Sequence, residues 1–225
     1  MNTLIAIFSK QLSDLPKNIT VSLLYILFPA MAFVMGAMMG DSNIFAGTFA
    51  AMFVGTTPMI VICHTVAEDR EYKSLRFLVM AGVKPSQYLF GLTGFVLMMS
   101  LIPIAAFAAI GNFRGQLLLN FIIMSILGLI ASSILGAAIG IFSKNVQQAT
   151  AIYTPFMMLM ALLPLFVAAN ETLAYIANLL FSHQVYISVM QPGFDLARAL
   201  AVIAGNIALL LFFFIFAYKK KGLKG

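Results

Sequence analysis

The sequence predicts an all-α integral membrane protein with six transmembrane helices, an N-terminal amphipathic interfacial helix and short re-entrant helices before the sixth span. Three observations carry that prediction. Of the 225 residues, 62% are hydrophobic and only 9% charged, against about 25% charged in soluble domains. Six apolar stretches reach the ~20 residues that a helix needs to cross ~30 Å of hydrocarbon. The cationic residues stand in short clusters between those stretches, as the positive-inside rule expects of loops. A net charge of +6 would suit nucleic acid if it formed one solvated patch, and this dispersed pattern argues against that.

The first element is an amphipathic helix over residues 1–16. Leu4, Ile5, Phe8, Leu12 and Leu15 recur at helical spacing opposite Asn2, Ser9, Ser13 and Asp14, and Pro16 ends the pattern. Charged residues in this stretch break the apolar core that a cleavable signal needs, so the N-terminus reads as mature. Spans follow at 19–39, 44–66, 88–110, 117–142, 150–168 and 196–218, none with an internal lysine, glutamate or aspartate. Arg198, near the start of the sixth, can snorkel to the interface. Pro29, Pro58, Pro103, Pro155 and Pro164 fall inside spans, where each removes a helical hydrogen bond.

Orientation follows from the cations. With both termini inside, Lys10, Lys17, Arg70, Lys73, Arg76, Lys84, Lys144, Lys219, Lys220, Lys221 and Lys224 face the cytoplasm of a plasma-membrane protein, and Arg114 and Arg198 face outward. Tyr88 and Tyr218 then fall at the inner interface, and Tyr175 and Tyr186 near the outer one. Between the fifth and sixth spans, 169–195 is too apolar for a free loop. Helix-start chemistry at Asn170-Glu171-Thr172, an apolar face of Leu173, Ile176, Leu179 and Leu180, and a break at Gln191-Pro192-Gly193 predict one or two short helices dipping into the outer leaflet.

The segment 67–87 stands apart. It holds Glu68, Asp69, Arg70, Glu71, Lys73, Arg76 and Lys84, seven of the chain's 20 charged residues. From Glu68 to Ala81 it lacks Gly and Pro, it places Asp69 and Lys73 at i,i+4, and Gly82 and Pro85 follow. This spacing predicts one helix projecting into the cytosol with Tyr72, Leu75, Leu78 and Val79 on one side. Such a ridge can dock into a partner's groove or rest on lipid headgroups.

Several chemistries are excluded or disfavoured. There is no Gly-Lys pair and hence no phosphate-cradling G-x-x-x-x-G-K-[ST] loop. The spans carry no central carboxylate, histidine or arginine of the kind that ion-coupled transporters use. Cys63 is the single cysteine, so no intrachain disulfide forms. His64 and His183 lie beside no Cys or carboxylate at metal-ligand spacing, which predicts no metal site, and no catalytic residue is assigned. Gly128, Ser132, Gly136 and Gly140 repeat at steps of four on the fourth span, and Gly47, Ala51 and Gly55 on the second. Such faces let helices approach closely, within a subunit or between two. Asn120 and Asn206 are candidate polar contacts on a substrate pathway.

The run Asp69-Arg70-Glu71-Tyr72-Lys73-Ser74-Leu75-Arg76-Phe77-Leu78 resembles the E-R-E-x-G-T-L-x-x-L motif that follows the second span in membrane subunits of type-2 ABC exporters. Lys73 stands where that family usually has glycine, and Ser74 replaces threonine. The plan of an interfacial helix, six spans, a charged loop after the second and re-entrant helices before the sixth is similar along the whole chain. The resemblance implies one permease domain over 1–225, not itself an enzyme, paired with a second copy or a related permease and with a separate ABC ATPase. ATP and Mg would be bound by that ATPase. Glu68, Asp69, Arg70, Glu71, Tyr72, Lys73, Leu75, Arg76 and Leu78 would couple the two, with the charges pairing across the interface and Leu75 and Leu78 as apolar anchors. A pathway rich in Phe, Met and Leu suits an amphipathic peptide, lipid or hydrophobic drug. The rival expectation is a channel or scaffold not driven by ATP, whose charged loop binds lipid or another partner.

Overall fold

The structure, a computed structural model, describes residues 19–167, 171–191 and 193–221. The interfacial helix expected over 1–16 lies outside them. Among the described residues every regular element is helical: α1 (Ile19–Met39), α2 (Ser42–Glu71), α3 (Ser74–Met80), α4 (Pro85–Ile110), α5 (Gly115–Phe142), α6 (Val146–Phe166), α7 (Glu171–Ala177), α8 (Phe181–Met190) and α9 (Leu196–Lys221). Six of these, α1, α2, α4, α5, α6 and α9, are long and apolar enough to cross a membrane, in the places that the apolar stretches predict.

The centre of the bundle is the α2–α5 pair. Its closeness follows from the small residues on both helices. A Cβ on Gly136 would lie 2.9 Å from the Met59 Cα, and one on Gly140 would lie 2.9 Å from the Cys63 carbonyl oxygen. The two backbones therefore touch where any larger residue would part them. The Ser132 hydroxyl donates to the Gly55 carbonyl across the same seam, at 3.2 Å. The small-residue faces thus pack against each other and against α8, within one chain. At the far end of the seam, α8 lays Val185 against Gly128 and Val189 against Gly47.

Around this pair, α1 packs on α2 and α4, α6 on α2, and α9 on α5. These outer helices leave Ile26 and Phe33 of α1, Met158 of α6 and Phe212 and Phe216 of α9 exposed. In water such faces would be unsatisfied, whereas against acyl chains they need no partner. Between the fifth and sixth spans the described residues form two short helices, α7 and α8. α8 buries Phe181, Ser182, His183, Gln184 and Val185 against the bundle, while Ile176 and Leu179, at and just after the end of α7, stay exposed.

Several helix ends lie a few residues from the sequence reading: α2 continues past Val66 to Glu71, α4 begins at Pro85 rather than near Tyr88, α6 begins at Val146 rather than Thr150, and α9 runs on to Lys221. The extension of α2 carries Asp69, Arg70 and Glu71, and neighbouring helices supply partners for all three.

Candidate functional site

The crowded segment after the second span does not form one helix. α2 ends at Glu71, the chain turns at Tyr72 and Lys73, and α3 resumes at Ser74. Lys73 has φ +61°, in the left-handed region that glycine adopts most easily. The expected single helix over Glu68–Ala81 is corrected accordingly. Lys73 lies beyond the end of α2, so the i,i+4 spacing from Asp69 no longer applies. α3 then closes with Gly82 at φ +81° and a Val83 N–H to Leu78 carbonyl bond of 3.0 Å, the pattern of a Schellman cap.

The last turn of α2 reaches three other spans through consecutive side chains. Asp69 is only 4% exposed, and its carboxylate accepts a 2.8 Å hydrogen bond from the Tyr88 hydroxyl on α4. Arg70 donates through Nη1 to the carbonyl oxygens of Ile141 and Ser143, the latter at 2.9 Å. Those carbonyls belong to the C-terminal end of α5, which lacks helical donors and carries partial negative charge. Glu71 accepts from the backbone N–H of Val146, the first residue of α6, at 3.1 Å. There Asn145 accepts from the Gln148 N–H at 2.8 Å, and Gln148 in turn accepts from the Lys144 N–H at 2.7 Å.

Arg70 and Glu71 thus straddle the turn between α5 and α6, each matched in sign to the helix end it meets. Together with Asp69 they form a latch that joins the end of α2 to α4, α5 and α6. Behind it, the Tyr88 ring stands 6.2 Å from the Tyr218 ring of α9, whose hydroxyl donates to the Val83 carbonyl at 3.3 Å. Both tyrosines are buried within the bundle.

What faces away from the latch is the α2–α3 corner. Tyr72 is 71% exposed, Phe77 66% and Met80 57%, with Lys73 and Arg76 exposed beside them. Leu75 is 1% exposed and Leu78 packs on the core. The ridge expected to present Leu75 and Leu78 is therefore turned over: those leucines hold α3 down, and Tyr72, Phe77 and Met80 form the outer surface. The sequence reading names Tyr88 and Tyr218 only as rings at the inner interface, and Ser143 and Val146 not at all. Only the polar turn Ser143-Lys144-Asn145, with a helix-capping asparagine, hinted that a helix end there sought partners.

The pathway candidates lie elsewhere. Asn120 is buried on α5 and accepts from Gln116 at 2.9 Å, whereas Asn206 donates to the carbonyls of Leu179 and Val202, each at 2.8 Å. The structure does not bring them together with the latch. His64 stands 2.9 Å from the Tyr153 hydroxyl and joins α2 to α6. Among the described residues no group of three His, Cys, Asp or Glu side chains converges as metal ligands would.

No curated protein matches the chain. The sequence profile described as ABC-2 family transporter protein matches residues 39–219, from the end of α1 to the last turns of α9 and including the latch and the exposed corner. The chain is therefore a multi-pass membrane component, a permease-type subunit, belonging to the ABC-2 family of transporters.

Proposed function

We propose that the chain is the translocation subunit of an ATP-driven exporter, working as a dimer with a second copy or a related permease. In this reading a separate ABC ATPase binds ATP and Mg and docks on the α2–α3 corner. The protein sits in the plasma membrane with both termini in the cytoplasm, and the cargo is an amphipathic peptide, a lipid or a hydrophobic drug.

The observation that supports this most directly is the pairing of an exposed apolar and cationic surface with a latched base. Tyr72, Phe77 and Met80 have no apolar cover, and Lys73 and Arg76 flank them. A groove with an acidic rim would cover the first set and pair with the second. Asp69, Arg70 and Glu71 then act as transmitters rather than as interface groups. A displacement imposed on α3 passes through them to α4, α5 and α6, because each contact is a short directional bond to a different helix. Glu68, exposed on the same turn, is left to face the partner.

The test is co-expression with an ABC ATPase encoded beside this chain, followed by purification and an ATPase assay. Arg76→Glu should weaken the complex and lower cargo-stimulated hydrolysis without altering the melting temperature of the permease. A complex that assembles and transports equally well with that change would refute the docking surface.

A further inference from the structure

α4 and α9 both pack on α5 and meet each other where the Tyr88 and Tyr218 rings approach. Beside that contact lies a cavity of about 760 Å³, walled by α4 and α9 and floored by α5. Leu89 and Leu97 form one wall, Leu211 and Phe214 the other, and Ile134 the floor. Phe90 and Ile215 on its rim are exposed, so the groove opens sideways. Lys84 and Ser86 stand at the end where α4 begins. The Lys84 side chain is exposed, and among the described residues no carboxylate pairs with it.

From Lys84 to Leu97 the helix rises about 20 Å, close to the ~15 Å of hydrocarbon in one leaflet. A groove of one leaflet's depth, apolar along its walls and cationic at its headgroup end, matches a single class of molecule. We propose that it binds an acyl chain of an anionic phospholipid from the leaflet that meets Lys84, with the phosphate held by the Lys84 ammonium. This site stands independently of the exporter reading.

The bound chain also bears on the latch. Phe214 is buried between the groove and Tyr218, its ring 5.9 Å from that tyrosine. Tyr218 packs on Tyr88, which holds Asp69. An occupied groove therefore braces the rings behind the Asp69 contact, and lipid binding raises the melting temperature.

The test is native mass spectrometry of the full chain in detergent, titrated with phosphatidylglycerol and with phosphatidylcholine of the same acyl composition. The wild type should retain one phosphatidylglycerol about fivefold more strongly, the gain one lysine draws from an anionic surface. Lys84→Glu should abolish that preference. Gly94 lies in the groove wall, and a Cβ there meets nothing within 4 Å. Gly94→Leu therefore fills the groove without disturbing the helix, and should abolish retention while the protein melts no lower than the wild type. Equal retention of the two lipids by the wild type, or unchanged retention in Gly94→Leu, overturns the proposal. So does loss of self-association in Gly94→Leu, which would place a second copy in the groove.

Discussion

Replacing Tyr88 with phenylalanine removes one oxygen atom from the latch and leaves the ring in place. Tyr88 is 1% exposed, so the aromatic packing against Tyr218 persists and only the 2.8 Å bond to Asp69 is lost. A hydrogen bond to a charged acceptor contributes roughly 1.5–3 kcal/mol, and more of that is felt when the acceptor stays buried. For a chain of this size, at about 2–4 °C per kcal/mol, that corresponds to a fall in melting temperature of about 3–12 °C. The protein supplies its own reporter. Cys63 is the only cysteine and is fully buried, so a thiol-reactive fluorophore lights up only as the bundle opens. Asp69→Asn and the double variant complete a cycle that isolates the pair from other effects. A Tyr88→Phe protein melting within 1 °C of the wild type, with no coupling to Asp69, would show that the latch does not hold α2 to α4.

Three further outcomes are expected from the same assay. Gly136→Ala forces a methyl into the Met59 backbone and should destabilise by about 2 kcal/mol or more, whereas Gly94→Ala, with open space around its Cβ, should be neutral or stabilising by up to ~1 kcal/mol. Lys73→Gly should raise the melting temperature slightly, because Lys73 sits at φ +61°, and the β-branched Lys73→Val should destabilise the protein by about 1–2 kcal/mol. Glu71→Gln keeps an acceptor for the Val146 N–H but removes the charge at the start of α6. Its effect should stay below about 1 kcal/mol and shrink as salt is added.

Much of this architecture is legible in the sequence because membrane spans announce themselves by length and apolarity. Side-chain direction at the loop is not. Helical spacing groups Tyr72, Leu75 and Leu78 together, yet it cannot register the turn at Tyr72 and Lys73, which rotates α3 relative to α2. Lysine carries no turn signal. Its left-handed backbone was foreshadowed solely by the glycine that stands there in the family it resembles.

The charged triplet was legible as important, whereas its partners within the chain were not. Asp69, Arg70 and Glu71 look like surface residues because their partners are a tyrosine hydroxyl, two carbonyls and one N–H on three separate helices. None of those groups carries a complementary charge that a reading of the sequence could match. The small-residue seams posed the opposite problem. Their spacing showed that helices approach closely, and the approach of Gly136 to Met59 settled that the approach is within the chain.

In the proposed function, the outer surface of the α2–α3 corner receives the ATPase while the latch beneath it carries the motion inward. The most direct measurement is ATP hydrolysis by the co-purified complex in lipid, compared between wild type, Phe77→Glu and Tyr88→Phe. Phe77→Glu should lose the ATPase subunit with its own melting temperature unchanged. Tyr88→Phe should keep the subunit and hydrolyse ATP with transport reduced. Retention of the ATPase and full transport by Phe77→Glu would contradict that function.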